Sequence, residues 1–376
     1  MPACSLLEHF GEMPDPRTGR ALRHPLLSIL FCSLCAMICG AEDFVSFEEF
    51  TEAKFDWLAQ RVDLSAGVPS HDTFGRVFAL LEPHAFTECF LNWVEALRTH
   101  LGPDIISLDG KTLRHSFDTA TGKKAIHMVS AWARQSRLVL GQVKVDDKSN
   151  EITAIPALLK LLDIRGCIIT IDAMGCQKSI AAQIIGQGGD YVLSVKDNHP
   201  HLAQDMAGLF THAQAHRFED VAHDTAKTLD KDHGRIETRI ATVIGLNALA
   251  GLWDDVGSQW TGLQTLLKIQ RTRQIGSETT CETHYYISSL PPNAKKHLQV
   301  VRSHWGIENS LHWVLDVAFR EDDCRVRMGH ADQNLASLRH ITLNLLRQDK
   351  RSKIGIKNRR LKAGWDLMFL ERIITG

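Results

Sequence analysis

Three acidic residues stand where the pattern of the chain changes. Asp109 closes the apolar run GPDIISLDGKTLR, Asp172 closes GCIITIDAM, and Glu308 sits inside HWGIENSLHWVLDVAFREDD. Two carboxylates brought together repel, so one of them holds its proton more tightly, and a hard divalent cation removes that penalty. Oxygen ligands with no Cys or His pair beside them favour Mg²⁺ or Mn²⁺ over zinc. Three carboxylates can hold two such ions about 4 Å apart and support in-line phosphoryl transfer. Taken singly, each acid has a plainer reading: a strand-terminal Asp caps the next helix, and Glu308 belongs to a solvated face.

The elements that would position these acids can be read from periodicity. Ile307, Leu311, Val314, Leu315 and Ala318 recur at helical spacing and give Glu308 a helix with one apolar stripe. His304, Glu308, His312 and Asp316, each four residues after the last, form a polar ridge beside it. From Gly102 onward the order is strand, strand, strand, helix, strand, helix, strand, with a hairpin at Arg134-Gln135-Ser136 and helices at Ser149–Asp163 and after Gln177. This is a mixed α/β sheet opening with a meander, and no Gly-x-Gly-x-x-Gly marks a dinucleotide fold. Asp109 and Asp172 end its first and fourth strands. If those strands are adjacent and parallel, the two carboxylates emerge side by side.

Five segments follow from the same reading. Residues 1–100 are helical, 101–199 form the first part of the core, and 200–290 interrupt it with a helix and alternating strands, HRFEDVAHDT among them. Residues 291–350 return to helices, including one from Ala331 to Leu346, and 351–376 form a basic tail. In the first segment Phe44–Leu58 reads as one helix. Ser70, His71, Thr73 and Arg76 face outward from a short helix after a turn, a candidate helix-turn-helix reader of DNA.

Composition limits the partners. The net charge of -1 argues against a uniformly basic nucleic-acid binder, yet 13 basic and 7 acidic residues lie from Arg320 onward, where a DNA backbone would use them. The apolar run Pro25–Ala41 reads as a buried helix and not a membrane span. Its Cys32, Cys35 and Cys39 read as core packing. Nine scattered cysteines and an acidic start without a basic leader point to the cytoplasm.

DGKTLR at 109–114, KSNEITAIPALL at 148–159, TIDAMGCQ at 170–177, YVLSVKDNH at 191–199, HGRIETR at 233–239 and HWGIENSLHWVLDVAFRED at 304–322 together resemble the ISAs1 insertion-sequence transposases. That family includes the H-repeat-associated proteins and belongs to the DDE class. The resemblance spans almost the whole chain. It implies a ribonuclease-H-like core with an N-terminal helical domain and a mostly β insertion before the last catalytic helix. It also implies a Mg²⁺-dependent enzyme, with Mn²⁺ as substitute, that cleaves and joins double-stranded DNA at insertion-sequence terminal repeats and target sites. The acids Asp109, Asp172 and Glu308 would be its triad, and two ends imply a homodimer or larger assembly on DNA. The alternatives are a nuclease that does not join, or an inactive DNA-binding repressor.

Around the acids, Lys111 and Arg114 are candidates for phosphate contact, and Lys196 and Asn198 for backbone contact near the site. Arg235 and Arg239 either meet a terminal phosphate or pair with Glu237. His304 and His312 either support Glu308 or pack. Asp316 and Asp322 are spare acids, and Trp305 and Trp313 read as core. Lys353, Lys357, Arg359, Arg360 and Lys362 are expected to carry non-specific DNA affinity.

Overall fold

The structure, a computed structural model, describes residues 3–98, 102–117, 119, 122–145, 150–219, 221–232, 234–249, 251 and 253–375. Thr99 to Leu101, at the first expected boundary, lie outside these residues, as do Asp146 to Ser149 and His233 of the motif blocks.

The N-terminal region is all helix: α1 (Ala3–Gly11), α2 (Leu26–Ile38), α3 (Phe44–Ala53), α4 (Phe55–Ala59), α5 (His71–Leu80) and α6 (Pro83–Arg98). The α2 sequence LLSILFCSLCAMI is apolar on every side, so the helix is enclosed by its neighbours. Cys32 and Cys35 are fully buried within it, and burial pushes the Cys32 thiol up to about 12. Among the described residues no helix is long and apolar enough to cross a membrane. The helix expected over Phe44–Leu58 breaks at Lys54 into α3 and α4. Asp43 and Ser70 cap α3 and α5 with their side chains.

The rest is built on one sheet in the order β3-β2-β1-β4-β5-β9-β8-β7-β6. Its strands are β1 (Ile105–Thr112), β2 (His127–Ala133), β3 (Leu138–Lys144), β4 (Ile168–Ile171), β5 (Asp190–Val195), β6 (His223–Asp232), β7 (Arg235–Gly245), β8 (Thr265–Ile275) and β9 (Glu278–Ser288). The first three are an antiparallel meander, β1, β4 and β5 run parallel, and β9 joins β5 antiparallel. Strands of the 200–290 segment therefore extend the core sheet. That segment's first expected strand, HRFEDVAHDT, opens as a turn over residues 216–219. Arg217 and Phe218 take φ of 51° and 57°, which no strand accommodates, and β6 begins only at His223.

Helices α7 (Glu151–Lys160), α8 (Lys178–Gly186), α9 (Pro200–Ala215) and α10 (Asp254–Gln259) precede α11 (Ala294–Ile307) and α12 (Trp313–Phe319). The chain ends in α13 (Ala331–Gln348), α14 (Ile356–Trp365) and α15 (Leu367–Thr375). This is a ribonuclease-H-like α/β arrangement preceded by an all-helical region. One apolar core runs from α2 through Phe47, Phe78 and Phe90 to Ile106, Leu108, Ile169 and Leu338, so the N-terminal helices share it with the sheet. A smaller core of Ile105, Ile168, Val192, Leu298 and Val301 lies on the sheet's other face, under α11.

α13 ties the halves together. Its Asn344 takes the Val139 N–H at 2.8 Å and donates to the Val139 carbonyl at 2.9 Å, satisfying the outer edge of β3. Its Asn334 donates to the carbonyls of Phe78 and Leu81 at the end of α5. The expected basic tail is α14 and α15, folded back against α2 and α13.

Candidate active site

β1 and β4 pair in parallel with Leu108 opposite Ile171, so the next residues, Asp109 and Asp172, stand side by side. Asp172 follows the end of β4, whereas Asp109, expected to end its strand, lies within β1, which stays paired with β2 to Thr112. Strand alternation then fixes the face. Ile105, Ser107, Asp109 and Lys111 share one side, as do Ile168, Thr170 and Asp172, and it is the side that α11 covers. Asp109, Asp172, Lys196, His304, Trp305 and Glu308 all line a cavity of about 170 Å³ between sheet and helix.

The helix above the cavity is not a plain α-helix. Between α11 and α12, Glu308–His312 form a π turn in which the Trp313 N–H bonds the Glu308 carbonyl. Each four-residue step of an α-helix overshoots a full turn by about 40°, so a strict i,i+4 ridge winds away from a flat surface. A π turn absorbs an extra residue and takes back part of that drift. The ridge therefore meets β1 and β4 rung by rung. His304 Nδ1 is 3.1 Å from Thr170 Oγ1, His312 Nε2 is 3.3 Å from Asp109 Oδ2, and Lys111 Nζ bonds Asp316 Oδ1. Over the last step the lengths match: four helical residues from His312 to Asp316 rise about 6 Å and two strand residues from Asp109 to Lys111 about 6.7 Å.

Thr170 Oγ1 donates to Ser107 Oγ at 3.0 Å, which leaves it free to accept from His304 Nδ1–H. This network assigns the His304 proton to Nδ1 and leaves Nε2 as the ring's acceptor. Burial holds the ring's basicity down despite the nearby Asp109 and Asp172, so it is kept neutral. His312 has both ring nitrogens buried and without a hydrogen-bond partner, in ion-pair range of Asp109 but off its lone-pair alignment.

Burial raises the Asp172 pKa, with Glu151 and then Asp109 adding to the shift. Burial followed by Asp109 likewise raises that of Glu308. Uncompensated negative charge is thus concentrated here, and the donor set suits a hard divalent cation. Among the described residues no three His, Cys, Asp or Glu side chains converge into a ready-made ion cage. Asp109 Oδ1 instead accepts the Gly110 N–H at 3.0 Å, and Asp172 Oδ1 accepts the Met174 N–H at 3.1 Å.

Glu151, which the sequence marks only as the first turn of a helix after its cap Asn150, lies near enough to Asp172 for its charge to raise that pKa. It bonds His127 at 2.7 Å. A Cβ at Gly110 would come 2.0 Å from Glu151 Oε1, which explains the glycine after Asp109.

Other candidates fall elsewhere. Lys111 is half-buried among Asp316, Glu321 at 2.9 Å and Asp322 at 3.7 Å. Arg114 is exposed and pairs with Asp322 at 3.2 Å. Asn198 Nδ2 donates to the carbonyls of Ala173 and Cys176, bracing the loop after Asp172. Arg239 pairs with Asp230 at 2.7 Å and Glu237 at 2.9 Å, and Arg235 is exposed at the start of β7.

Arg359 donates to the carbonyls of Leu346, Asp349 and Ile354, closing the end of α13. Arg360 is buried on Phe319 and donates to the carbonyls of Met37, Ala41 and Ala318. Lys353, Lys357 and Lys362 remain exposed. At α5, Arg76 is exposed but the His71 ring is held 2.6 Å from Glu48. Trp305 and Trp313, expected in the core, are 45% and 60% exposed, and Trp305 lines the cavity.

The model described as Transposase DDE domain matches residues 100–345, and that described as DDE_Tnp_1-associated matches residues 7–94. The H repeat-associated protein YhhI of Escherichia coli K12 is 41% identical over 99% of this chain and 98% of its own. YbfL of the same strain is 41% identical over the same shares. The H repeat-associated YbfD, also from K12, is 44% identical over 63% of this chain and 93% of its own. With the sheet, the helical N-terminal region and these matches in agreement, the chain belongs to the H-repeat-associated, ISAs1-type family of DDE transposases.

Proposed function

We propose that the protein cuts and joins DNA at the ends of an insertion sequence, with Asp109, Asp172 and Glu308 holding Mg²⁺, or Mn²⁺ in its place. The observation carrying this reading is the Leu108–Ile171 register, which sets two aspartates side by side under a helix bearing a glutamate on the same cavity. Bound there, the metal would supply charge neutralisation and an activated oxygen nucleophile for phosphoryl transfer.

The chain's own groups do the rest. The Asp109 and Asp172 carboxylates, fixed by neighbouring strands, set the spacing. His304, neutral and locked through Thr170 and Ser107, packs beside them without adding positive charge. His312 limits rotation of the Asp109 carboxylate, and Lys196 on the cavity wall is free to meet a phosphate oxygen. The partner is double-stranded DNA, engaged by a homodimer or larger assembly, in the cytoplasm.

The test is nicking of supercoiled DNA with Mn²⁺. The native protein should nick and Asp172→Ala should not; nicking retained by the variant overturns the site. A strand-transfer assay with a pre-cleaved end then separates a transposase, which joins, from a nuclease, which only hydrolyses.

A further inference from the structure

We infer that the arginine-lined groove on the far side of Trp305 is a second phosphodiester site, holding the backbone of the DNA strand as it leaves the acidic cavity. This rests on the DNA-processing reading above for the identity of its ligand. The groove encloses about 420 Å³ between the β2–β3 turn and α11, and is lined by Trp132, Arg134, Arg137, Arg239, Arg302 and Trp305. Trp305 belongs to both walls, so cavity and groove are neighbours around one side chain. On the helix, His304 and Glu308 look into the cavity while Arg302 and Asn309 look into the groove.

The charge here is not neutralised as it is elsewhere in the protein. Lys111 is matched by three carboxylates. In the groove, Arg134 reaches, among the described residues, only Ser303 Oγ and the Gln299 carbonyl. Arg137 is exposed and, among the described residues, has no carboxylate within ion-pair distance. Arg239 and Arg302 share Asp230, at 2.7 and 3.0 Å, and Arg239 shares Glu237 with Arg271, so three arginines are set against these two carboxylates. Beneath the groove Arg347 lies 4.3 Å over the Trp132 ring and donates to the Ser310 carbonyl, with Nε and Nη1 buried and unpartnered. Burial first, with Arg137 and Arg359 adding to it, brings its pKa down to about 9.

Backbone geometry points the same way. Arg137 occupies the left-handed region at φ 57°, where glycine or asparagine fits at less cost. An arginine kept in a conformation that disfavours it, over a groove of other arginines, indicates a task for its charge. An open trough with this excess suits an extended polyanion, and planar guanidinium groups suit phosphates.

The test is binding of a fluorescein-labelled duplex without divalent ions, followed by anisotropy across a range of KCl concentrations. The double variant Arg137→Asn/Arg302→Gln should bind at least about 10-fold more weakly, with the slope of log affinity against log salt reduced by about 2. Asparagine suits the left-handed position, so the fold is spared. Arg137→Lys should restore most of its share, and Arg165→Gln, an exposed residue paired with Asp163 elsewhere, should change nothing. An unchanged slope in the double variant overturns the groove. The readout needs no cleavage, so loss of nicking in Asp172→Ala with an unchanged slope rejects the groove alone. A reduced slope with nicking retained in Asp172→Ala rejects the acidic site alone.

Discussion

His312 Nε2 stands 3.3 Å from Asp109 Oδ2, across the gap between the π turn and β1. Neither imidazole nitrogen has another partner, so the ring's polar contact is with the carboxylate. A group that steadies a ligand without touching substrate changes metal affinity more than chemistry, typically by 10–100-fold. His312→Phe should therefore raise the Mn²⁺ concentration for half-maximal nicking by about 10–100-fold, with most of the rate regained at saturating metal. An unchanged metal titration would reduce His312 to packing.

Lys111 is one strand step further along the same face, half-buried among Asp316, Glu321 and Asp322. Burial disfavours its charge, but Glu321 and Asp316 more than offset this and raise its pKa. Lys111→Met would leave buried Glu321 with only Arg339, at 3.8 Å, opposite it. The expected loss is about 3–5 kcal/mol in denaturant unfolding, with the DNA salt slope unaltered in whatever remains folded. A reduced slope in a fully stable Lys111→Met protein would return the residue to the phosphate.

The sequence makes the two aspartates legible because each ends a buried apolar run, and the parity of Ile105, Ser107 and Asp109 carries their face. The i,i+4 spacing of His304, Glu308, His312 and Asp316 reads only as a slowly drifting ridge on an ordinary helix, and the π turn at Glu308–His312 is not legible in it. Ion-pair partners are not legible. Lys111 meets Asp316 205 residues away, and Arg360 reaches the Met37 carbonyl 323 residues away. A basic side chain that closes the core and one that waits for DNA look alike until the chain is folded. The tryptophans mislead for a related reason: their apolar surface suggests burial, whereas both are exposed.

That distinction divides the basic residues at the C-terminus. Arg360 donates to carbonyls in α2, in the loop after it and in α12, and its removal takes a donor from each. Arg360→Ala should cost about 3 kcal/mol or more and leave the DNA salt slope intact. The exposed pair should behave oppositely: Lys353→Ala/Lys357→Ala should retain the melting temperature and reduce the slope by about 2. Matching slopes in native protein and the lysine variant would remove this surface from the DNA path.

His340 links the buried network to pH. It is 2% exposed on α13, and burial lowers its pKa to about 4, with Glu321 opposing the shift and His312, Lys111 and Arg339 reinforcing it. A histidine held neutral contributes stability that is fully present above the ordinary value near 6.5 and lost as pH falls toward 4. Between pH 7 and pH 5 the linkage amounts to about 2 kcal/mol. Carboxylates contribute their own acid dependence, so the native protein is compared with His340→Gln, which lacks the titrating ring. Urea unfolding at both pH values should show the native protein losing about 2 kcal/mol more than the variant. Equal losses would mean that folding leaves the ring's pKa unshifted, and a smaller loss in the native protein than in the variant would mean a ring protonated and paired with Glu321, a partner in the Lys111 network and not a neutral spacer beneath it.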